Sequence, residues 1–310
     1  MTTPRFVHLR LHTEFSVTDG ITRVDDAVKR AVGERMPALG ISDLMNLFGM
    51  VKHYKACLKQ GVKPIIGVDA WLENETDRDQ PFRLLLIAMN RTGYHRLCEL
   101  MTDAYRTNQY RGRAELKREW LDAASCEHLI LVSGAQFGDV GQALLAGNLE
   151  QARQRATEWQ TRFPGRCYLE IQRIGKPEVE TCVDRTLWLA GETGLPVVAT
   201  HPIQFLDQDD FKAHEARVCI AEGEMLGNPK RPRRYTDQQY FKSADDMAAL
   251  FADVPEALEN SVEIARRCNI EIELGKNYLP LFPTPAVMTL DDYLVHRAED
   301  GLVERMQALY

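Results

Sequence analysis

Residues 6–20 read FVHLRLHTEFSVTDG, and this stretch decides how the rest of the chain is interpreted. His8, Arg10 and His12 alternate with apolar residues, so their side chains point to one side of a predicted strand. Residues two apart stand about 7 Å apart and can reach shared metals, whereas residues four apart stand about 13 Å apart. An H-x-H metal motif would need histidine at position 10, which holds arginine. Taken alone, a histidine at a strand end is more typical of a hydrogen-bonded core residue than of a metal ligand.

Seven short apolar runs, separated by segments with helical spacing, predict a repeated strand–helix alternation. The runs are Phe6–Leu11, Ala38–Ser42, Pro64–Trp71, Arg83–Met89, Leu129–Ser133, Cys167–Gln172 and Val197–His201. Such alternation is typical of a doubly wound sheet or a closed barrel. No glycine-rich phosphate motif follows an early run, which disfavours a nucleotide-binding sheet. Polar residues just past several runs favour a barrel of about seven parallel strands with a site on its rim.

The composition is that of an ordinary soluble globular protein, with 45% hydrophobic and 27% charged residues among 310. The formal net charge of −7 argues against a surface built mainly to wrap phosphate backbones, although a local basic patch stays open. Seven scattered cysteines without a C-x-x-C pair indicate reduced thiols rather than disulfides or zinc. Since no segment is typical of a signal peptide or a membrane span, we expect a cytoplasmic protein.

The pattern becomes mainly helical after about Leu206. Predicted helices cover Phe211–Glu222, Asp245–Phe251 and Pro255–Arg267, followed by a proline-punctuated linker and an amphipathic helix from Thr289 to Tyr310. Because the last helix has no stop signal, we expect the chain to be a piece of a longer protein. A basic run could contact DNA phosphates, but it is equally consistent with a solvated loop; its residues are Lys230, Arg231, Arg233 and Arg234.

Several longer stretches, in order and spacing, resemble the N-terminal PHP-domain region of bacterial DNA polymerase III alpha subunits, the replicative C-family polymerases. Besides the opening run they are MPALGISDLMNLFGMVKHY from position 36, GVKPIIGVDAW from 61, GLPVVAT from 194, NPKRPRRYTDQQYFKS from 228, LFADVPEALENSVEIARRCNI from 250 and NYLPLFPTP from 277. Together they span essentially the whole chain.

The resemblance implies an α/β fold, a distorted (β/α)7 barrel of PHP type with a C-terminal helical extension. The PHP domain would cover residues 1–275, with the barrel to about 205 and the extension over 206–275. Residues 276–310 would be a linker and the truncated start of the palm region.

Active members of the family bind up to three metal ions, and the matching positions here have lost most of their ligands. The first H-x-H becomes Arg10 and His12, whereas acidic residues remain at Asp19 and Asp69. The other ligand positions hold residues that cannot ligate in the same way: Leu44, Arg83, Ala135, Pro202 and Gln204. His201, one position from the family's aspartate, is a possible stray ligand.

We therefore expect no metal in this chain, since an arginine cannot become a ligand and repels cations. Arg10 and Arg83 are expected to fill the space of the lost metals and to pair with Asp19 or Asp69. The resemblance implies a DNA-directed DNA polymerase as parent, with Mg²⁺ in a palm beyond residue 310. No catalytic residue is then expected in this chain.

The chain itself is expected to act as a scaffold. Its implied partners are the proofreading exonuclease (epsilon) subunit, other DNA polymerase III holoenzyme subunits and, through the parent, primer-template DNA, but no membrane. Two enzymatic alternatives stay open: a free-standing PHP phosphoesterase, and a proofreading nuclease working on a minimal metal site. Elemental analysis of the purified protein would separate these hypotheses.

Overall fold

Most apolar runs of the first two thirds of the chain form strands in the computed structural model, which describes residues 6–277 and 279–310. The strands are β1 (Ala38–Ile41), β2 (Lys63–Leu72), β3 (Phe82–Ala88), β4 (Gln109–Tyr110), β5 (Arg113–Ala114), β6 (Leu129–Val132), β7 (Cys167–Ile171) and β8 (Val197–Ala199). Six of them make one sheet in the order β1-β2-β3-β6-β7-β8, and β4 pairs with β5 in a small hairpin. With the helices that cover it, the sheet confirms the α/β fold expected from the sequence.

Amphipathic segments between the strands form helices, and most of the later helices match the sequence prediction closely. The helices are α1 (Val24–Gly33), α2 (Met50–Gln60), α3 (Arg91–Thr107), α4 (Asp139–Leu145), α5 (Leu149–Arg162), α6 (Pro177–Thr193), α7 (Phe211–Glu222), α8 (Ala244–Leu250), α9 (Pro255–Arg267) and α10 (Leu290–Leu309). Three short 3-10 helices cover Arg118–Trp120, Ala135–Phe137 and Gln208–Asp210.

The expectation that all strands run parallel is wrong for β3. The pairs β1–β2, β6–β7 and β7–β8 are parallel, but β3 runs antiparallel to both β2 and β6. The connection from β2 to β3, residues 73–81, holds no helix. A parallel crossover needs a dozen or more residues, whereas a short connection can only reverse the chain. The reversal brings the beginning of β3 to the edge where its neighbours end.

The run Phe6–Leu11 was expected to be a strand, and the structure corrects this. Only Leu11 forms a β-bridge, a parallel one with Ile203. The backbone N–H of Gly40 in β1 donates to the carbonyl of His8 at 2.7 Å, and the N–H of His12 donates to the carbonyl of Ile203 at 3.0 Å. The segment thus lies between β1 and the chain after β8. The sheet curls around this segment as a half-barrel. The segment itself makes too few backbone hydrogen bonds to its neighbours to form a strand.

The core lies inside the curl and beneath the helices that cover it. One cluster joins Leu9 and Ile65 to Ile87 and Val132, all buried, and α9 closes it with Val262 and Ile264. A second cluster packs α1 against α2 and β1 through residues such as Val28, Cys57 and Leu39. Burial of apolar area on this scale is the main force that holds the curl closed.

The chain divides into two compact units, residues up to Glu271 and Ile272–Tyr310. The first holds the sheet and helices α1 to α9. In the second, α10 has no buried residue. Among the helices of residues 6–277 and 279–310, none combines the length and apolar character needed to cross a bilayer.

Candidate functional site

One end of the curled sheet opens into a cavity of about 890 Å³. Most of the positions singled out from the sequence line it: Arg10, His12, Asp19, Leu44, Asp69, Arg83, Pro202 and Gln204. They come from distant parts of the chain, and the sheet register brings them together.

Asp69 lies at the centre of the pocket because of the β2–β3 register. In β2, Asp69 and Trp71 are two residues apart and therefore face the same side of the sheet. Arg83 of β3 lies directly opposite Trp71, so its side chain points to that side as well. The Arg83 guanidinium stacks 4.6 Å from the Trp71 ring centre. Its Nε donates to Asp69 Oδ1 at 2.9 Å, and its Nη2 donates to Oδ2.

Arg10 joins two sides of the curled sheet. Its Nη1 donates to Asp69 Oδ2 of β2 at 2.6 Å. Its Nε and Nη2 donate to the two carboxylate oxygens of Glu170 in β7 at 2.5 and 2.8 Å. This is the bidentate geometry in which guanidinium–carboxylate pairs are strongest. Arg10 is buried, and Glu170 is fully enclosed. The side chain therefore cross-links strands that are far apart in the sequence.

His12 and Asp19 face each other across a tight turn. His12 donates from Nδ1 to Asp19 Oδ2 at 2.9 Å and from Nε2 to Asp69 Oδ2 at 3.1 Å. Ser16 donates to Asp19 Oδ1 at 2.6 Å, and the Tyr235 hydroxyl donates to Oδ2 at 3.1 Å. The turn requires glycine at position 20, where a Cβ would lie 1.6 Å from a backbone oxygen.

The pKa values follow from burial and from these neighbours. Burial alone would lower the pKa of His12, but the charge of Asp19 and the hydrogen bonds that His12 donates to both aspartates raise it to about 9. Burial would raise the pKa of Asp19, yet the charge of His12 lowers it to about 2. Likewise the charges of Arg10 and Arg83 outweigh burial and hold the pKa of Asp69 well below its usual range. At neutral pH the ionised carboxylates of Asp19 and Asp69 thus face the positive charges of Arg10, Arg83 and His12.

This arrangement does not fit a metal cluster. Arg10 and Arg83 donate hydrogen bonds to the carboxylate oxygens of Asp69 that would coordinate a metal. Both ring nitrogens of His12 donate hydrogen bonds to carboxylates. A ligating histidine must offer a lone pair, and a doubly donating, charged ring has none. Within residues 6–277 and 279–310, no group of three or more His, Cys, Asp or Glu side chains is arranged to hold a metal ion.

The remaining ligand positions lie around this network or away from it. Leu44 forms a β-bridge with Asp69, and Gln204 Nε2 lies 3.3 Å from His12 Nδ1. Pro202 lines the cavity, whereas Ala135 is buried after β6 and is not among the lining residues.

His201, the possible stray ligand, is not in contact with His12 or either aspartate. Its Nε2 donates to the Tyr240 carbonyl at 2.9 Å, and its ring centre lies 6.1 Å from that of His8. Burial, with smaller contributions from His8 and Lys242, holds its pKa well below the usual value. The structure thus gives it the environment of a core histidine.

Of the basic run, Arg234 lines the same cavity, and the four cations of the run have different environments. Arg231 is only 8% exposed and forms an ion pair with Glu215 of α7. Arg234 lies 3.1 Å from Glu222. Lys230 and Arg233 are exposed.

Glu170 is one of the polar residues at the ends of the apolar runs that indicated a site on the rim, but sequence reasoning gave it no specific role, and it did not assign Tyr235 or Ser16 to the site. Glu170 had a usable signal, since it is a lone carboxylate inside the apolar strand CYLEI, and a fully buried carboxylate needs a cation. Tyr235 had none, because 216 positions separate it from Asp19. Ser16 acts through a turn whose geometry the sequence does not specify.

Comparisons with known proteins show to which family the chain belongs. Residues 8–174, more than half of the chain, match the family described as "PHP domain". The whole chain is 53% identical to the DNA polymerase III subunit alpha of Neisseria meningitidis serogroup A, over 312 aligned residues, and 44% identical to that of Escherichia coli K12, over 310. In each case it spans only 27% of the relative's length.

A solved structure from Bifidobacterium adolescentis, described as a metal-dependent phosphoesterase, matches with a TM-score of 0.40 and 14% identity, covering 64% of this chain and 86% of that one. At that TM-score the likeness carries no argument. The family match and the similarity over the whole chain are decisive. The chain belongs to the PHP-domain family and corresponds to the PHP region of DNA polymerase III alpha subunits.

Proposed function

We propose that this chain is a non-catalytic scaffold within the alpha subunit of a replicative DNA polymerase. The polymerase activity of the parent, and its Mg²⁺-dependent palm, belong to this proposal and would lie outside residues 1–310. Similarity to DNA polymerase III alpha subunits along the whole chain supports the parent. The observation that carries the non-catalytic role is the pair of guanidinium groups on Asp69.

Hydrolysis of phosphoesters by paired metals needs anionic ligands that are free to bind cations. Here the charges of Asp19, Asp69 and Glu170 are balanced by Arg10, Arg83 and protonated His12. An entering divalent ion would have to displace buried cations that hold short hydrogen bonds. Because Arg10, Arg83 and His12 already hold the oxygens of Asp69 that a metal ion would need, metal binding is disfavoured.

A hydrolysis assay tests this role. The chain is expected to release no phosphate from nitrophenyl phosphate or nucleotides, and no nucleotide from single-stranded DNA, with Mg²⁺, Mn²⁺, Zn²⁺ or Fe²⁺ present. The matched control is Asp19→Asn, which should behave identically. Metal-dependent turnover that disappears in Asp19→Asn, together with near-stoichiometric metal by elemental analysis, would contradict the scaffold role. It would support the alternative of a phosphoesterase or proofreading nuclease, which the open cavity and the three surviving ligand-type residues favour.

We further propose that the scaffold docks the proofreading exonuclease subunit of the polymerase, through an extended peptide segment. Large apolar side chains at the cavity mouth support a peptide site: Phe48 is 69% exposed and Val17 59% exposed, and both line the cavity. A peptide that becomes ordered on binding needs such an apolar groove to offset its ordering entropy.

Titration with the exonuclease subunit from the same organism should give saturable one-to-one binding that is only moderately salt-sensitive. Phe48→Ala should weaken it, whereas Leu58→Ala, which truncates an exposed apolar side chain on α2, should not. Absence of association between two folded proteins would leave the scaffold without this partner. An equal loss of affinity in both variants would indicate that the docking site is not at the cavity mouth.

A further inference from the structure

The loop that carries the basic run is fixed on the rim of the cavity by two of its own arginines. Buried Arg231 pairs with Glu215, and Arg234 pairs with Glu222, so two cations of the run are neutralised by carboxylates of α7. These arginines anchor the loop, and their charges are largely neutralised by the two glutamates.

The other cations on this loop, and Lys176 beside it, lack such partners. Lys176, at the beginning of α6, donates from Nζ to the carbonyls of Arg233 and Arg234 at 3.1 and 3.0 Å. Its ammonium group is thereby held against the loop. Lys230 and Arg233 extend into solvent. Among the ion pairs of residues 6–277 and 279–310, none involves the side chain of Lys176, Lys230 or Arg233. Three positive groups therefore gather on a preorganised loop without neutralising carboxylates.

We propose that Lys176, Lys230 and Arg233 form a contact surface for the phosphate backbone of DNA. Ammonium and guanidinium groups are the usual protein partners of backbone phosphates. Residues 228–234 contain no aromatic side chain on which a base could stack, so the contact is independent of base sequence. The choice of DNA as the polyanion rests on the proposed function as part of a DNA polymerase.

The negative net charge of the chain predicts how the binding of DNA depends on salt. At −7 the chain as a whole repels polyanions, so any attraction must be local and must fall steeply with salt. Three phosphate contacts predict a slope of log affinity against log salt of about −2.7 on a duplex. Raising the salt from about 50 to about 200 mM should then lower the affinity about 40-fold.

Fluorescence anisotropy with a short labelled DNA duplex of arbitrary sequence tests the surface, using the full 310-residue chain. The double variant Lys230→Ala, Arg233→Ala should flatten the salt slope by about 2, because each lost phosphate contact removes about 1. Adding Lys176→Ala should abolish the remaining dependence. Both substituted side chains of the double variant are exposed, so its fold should be retained, as thermal denaturation will check.

A matched control removes the same charge from another exposed face, with alanine at Lys29, Lys55 and Lys59. It should leave the affinity within about twofold of the unmodified chain and the slope unchanged. Three outcomes would overturn the proposal: equal weakening in this control, tighter binding of a polyglutamate peptide than of the duplex, or no duplex binding at low salt up to about 0.1 mM, the weak end of non-specific affinity. Any of these, with exonuclease docking intact, would leave the scaffold role standing.

Discussion

At the scale of single residues, Asp69 governs the pocket, since its two carboxylate oxygens accept hydrogen bonds from Arg10, His12 and Arg83. The network is enclosed, so each member is stable only while its partners are present. Removing one partner of a buried ion pair typically costs about 3–5 kcal/mol, because the other charge is left without compensation. A structural role for these charges follows directly.

Arg10→His is expected to lower the free energy of unfolding by about 3–5 kcal/mol without restoring metal binding. Histidine is too short to bridge Asp69 and Glu170, and Arg83 would still hold Asp69. Urea denaturation and elemental analysis measure the two effects. The control Arg91→His, at an exposed position, should change stability by less than about 0.5 kcal/mol. A fully stable Arg10→His protein with stoichiometric zinc would show that arginine is no substitute for the metal.

The buried histidines predict a loss of stability in acid. Burial lowers the pKa of His8 and of His53 to about 4, below the unfolded value near 6.5. Their contribution is therefore fully present above pH 6.5 and is lost as the pH falls through 4. Each should add up to about 1.4 kcal/mol per pH unit to the slope of the unfolding free energy in that window.

Comparing variants isolates this contribution. His53→Gln should flatten the acid slope, whereas His95→Gln, at an exposed histidine, should not. His12 acts in the opposite direction: its pKa is raised to about 9, so its contribution is present below pH 6.5 and is lost as the pH rises through 9. Unfolding free energies measured from about pH 4 to pH 10 cover both windows. Unchanged slopes in His53→Gln would mean that this histidine is protonated in the folded state.

At the scale of secondary-structure elements, two helical glycines make opposite predictions. Gly93, in the first turn of α3, packs so closely that a Cβ would lie 2.2 Å from the His128 carbonyl oxygen. Near Gly191 of α6 there is nothing within 4 Å of such a Cβ. Glycine costs about 0.5–1 kcal/mol relative to alanine within a helix when space is available.

Gly191→Ala should therefore raise the free energy of unfolding by about 0.5–1 kcal/mol. Gly93→Ala should lower it by about 1–3 kcal/mol, since the α3 backbone must move away from His128. The two variants differ from the parent by the same methyl group, so each serves as the control for the other in urea denaturation. Equal effects of the same sign would contradict the close packing of α3 against His128, the residue before β6.

At the scale of the whole molecule, the reactivity of the seven cysteines measures how well the core is shielded from solvent. All are free, and all but Cys98 are buried. Burial raises the pKa of Cys57, Cys167 and Cys268 to about 12, which keeps them as unreactive thiols.

Titration with a thiol reagent should find seven reactive groups in denaturant without reductant, but at most one that reacts readily in the folded protein. Cys98→Ala should remove that native reaction, and Cys57→Ala should not. Fewer than seven groups in denaturant would reveal a disulfide. Several fast groups in the native state would mean that the core opens far more readily than its burial implies.

Much of the architecture follows from local patterns in the sequence. Helices α7 and α9 begin and end where their apolar spacing and flanking residues predict, because a helix satisfies its backbone hydrogen bonds within a few residues. The resemblance to the family identified Arg10, His12, Asp19, Asp69 and Arg83 as residues of one pocket. Most strands lie where apolar runs predict them, since burial on both faces leaves a continuous apolar signal.

Other features depended on the tertiary structure. The reversal of β3, the pairing of Arg10 with Glu170 and the contact of Tyr235 with Asp19 join positions with no shared local pattern. The same holds for His201, which lies beside His8 and apart from the pocket. Such contacts depend on strand register and on the paths of connecting loops, which a periodicity over a few residues does not encode. For this chain the sequence, through its resemblance to the family, indicated five residues of the pocket, whereas only the folded sheet brought Tyr235 to Asp19 and decided which charge pairs with which.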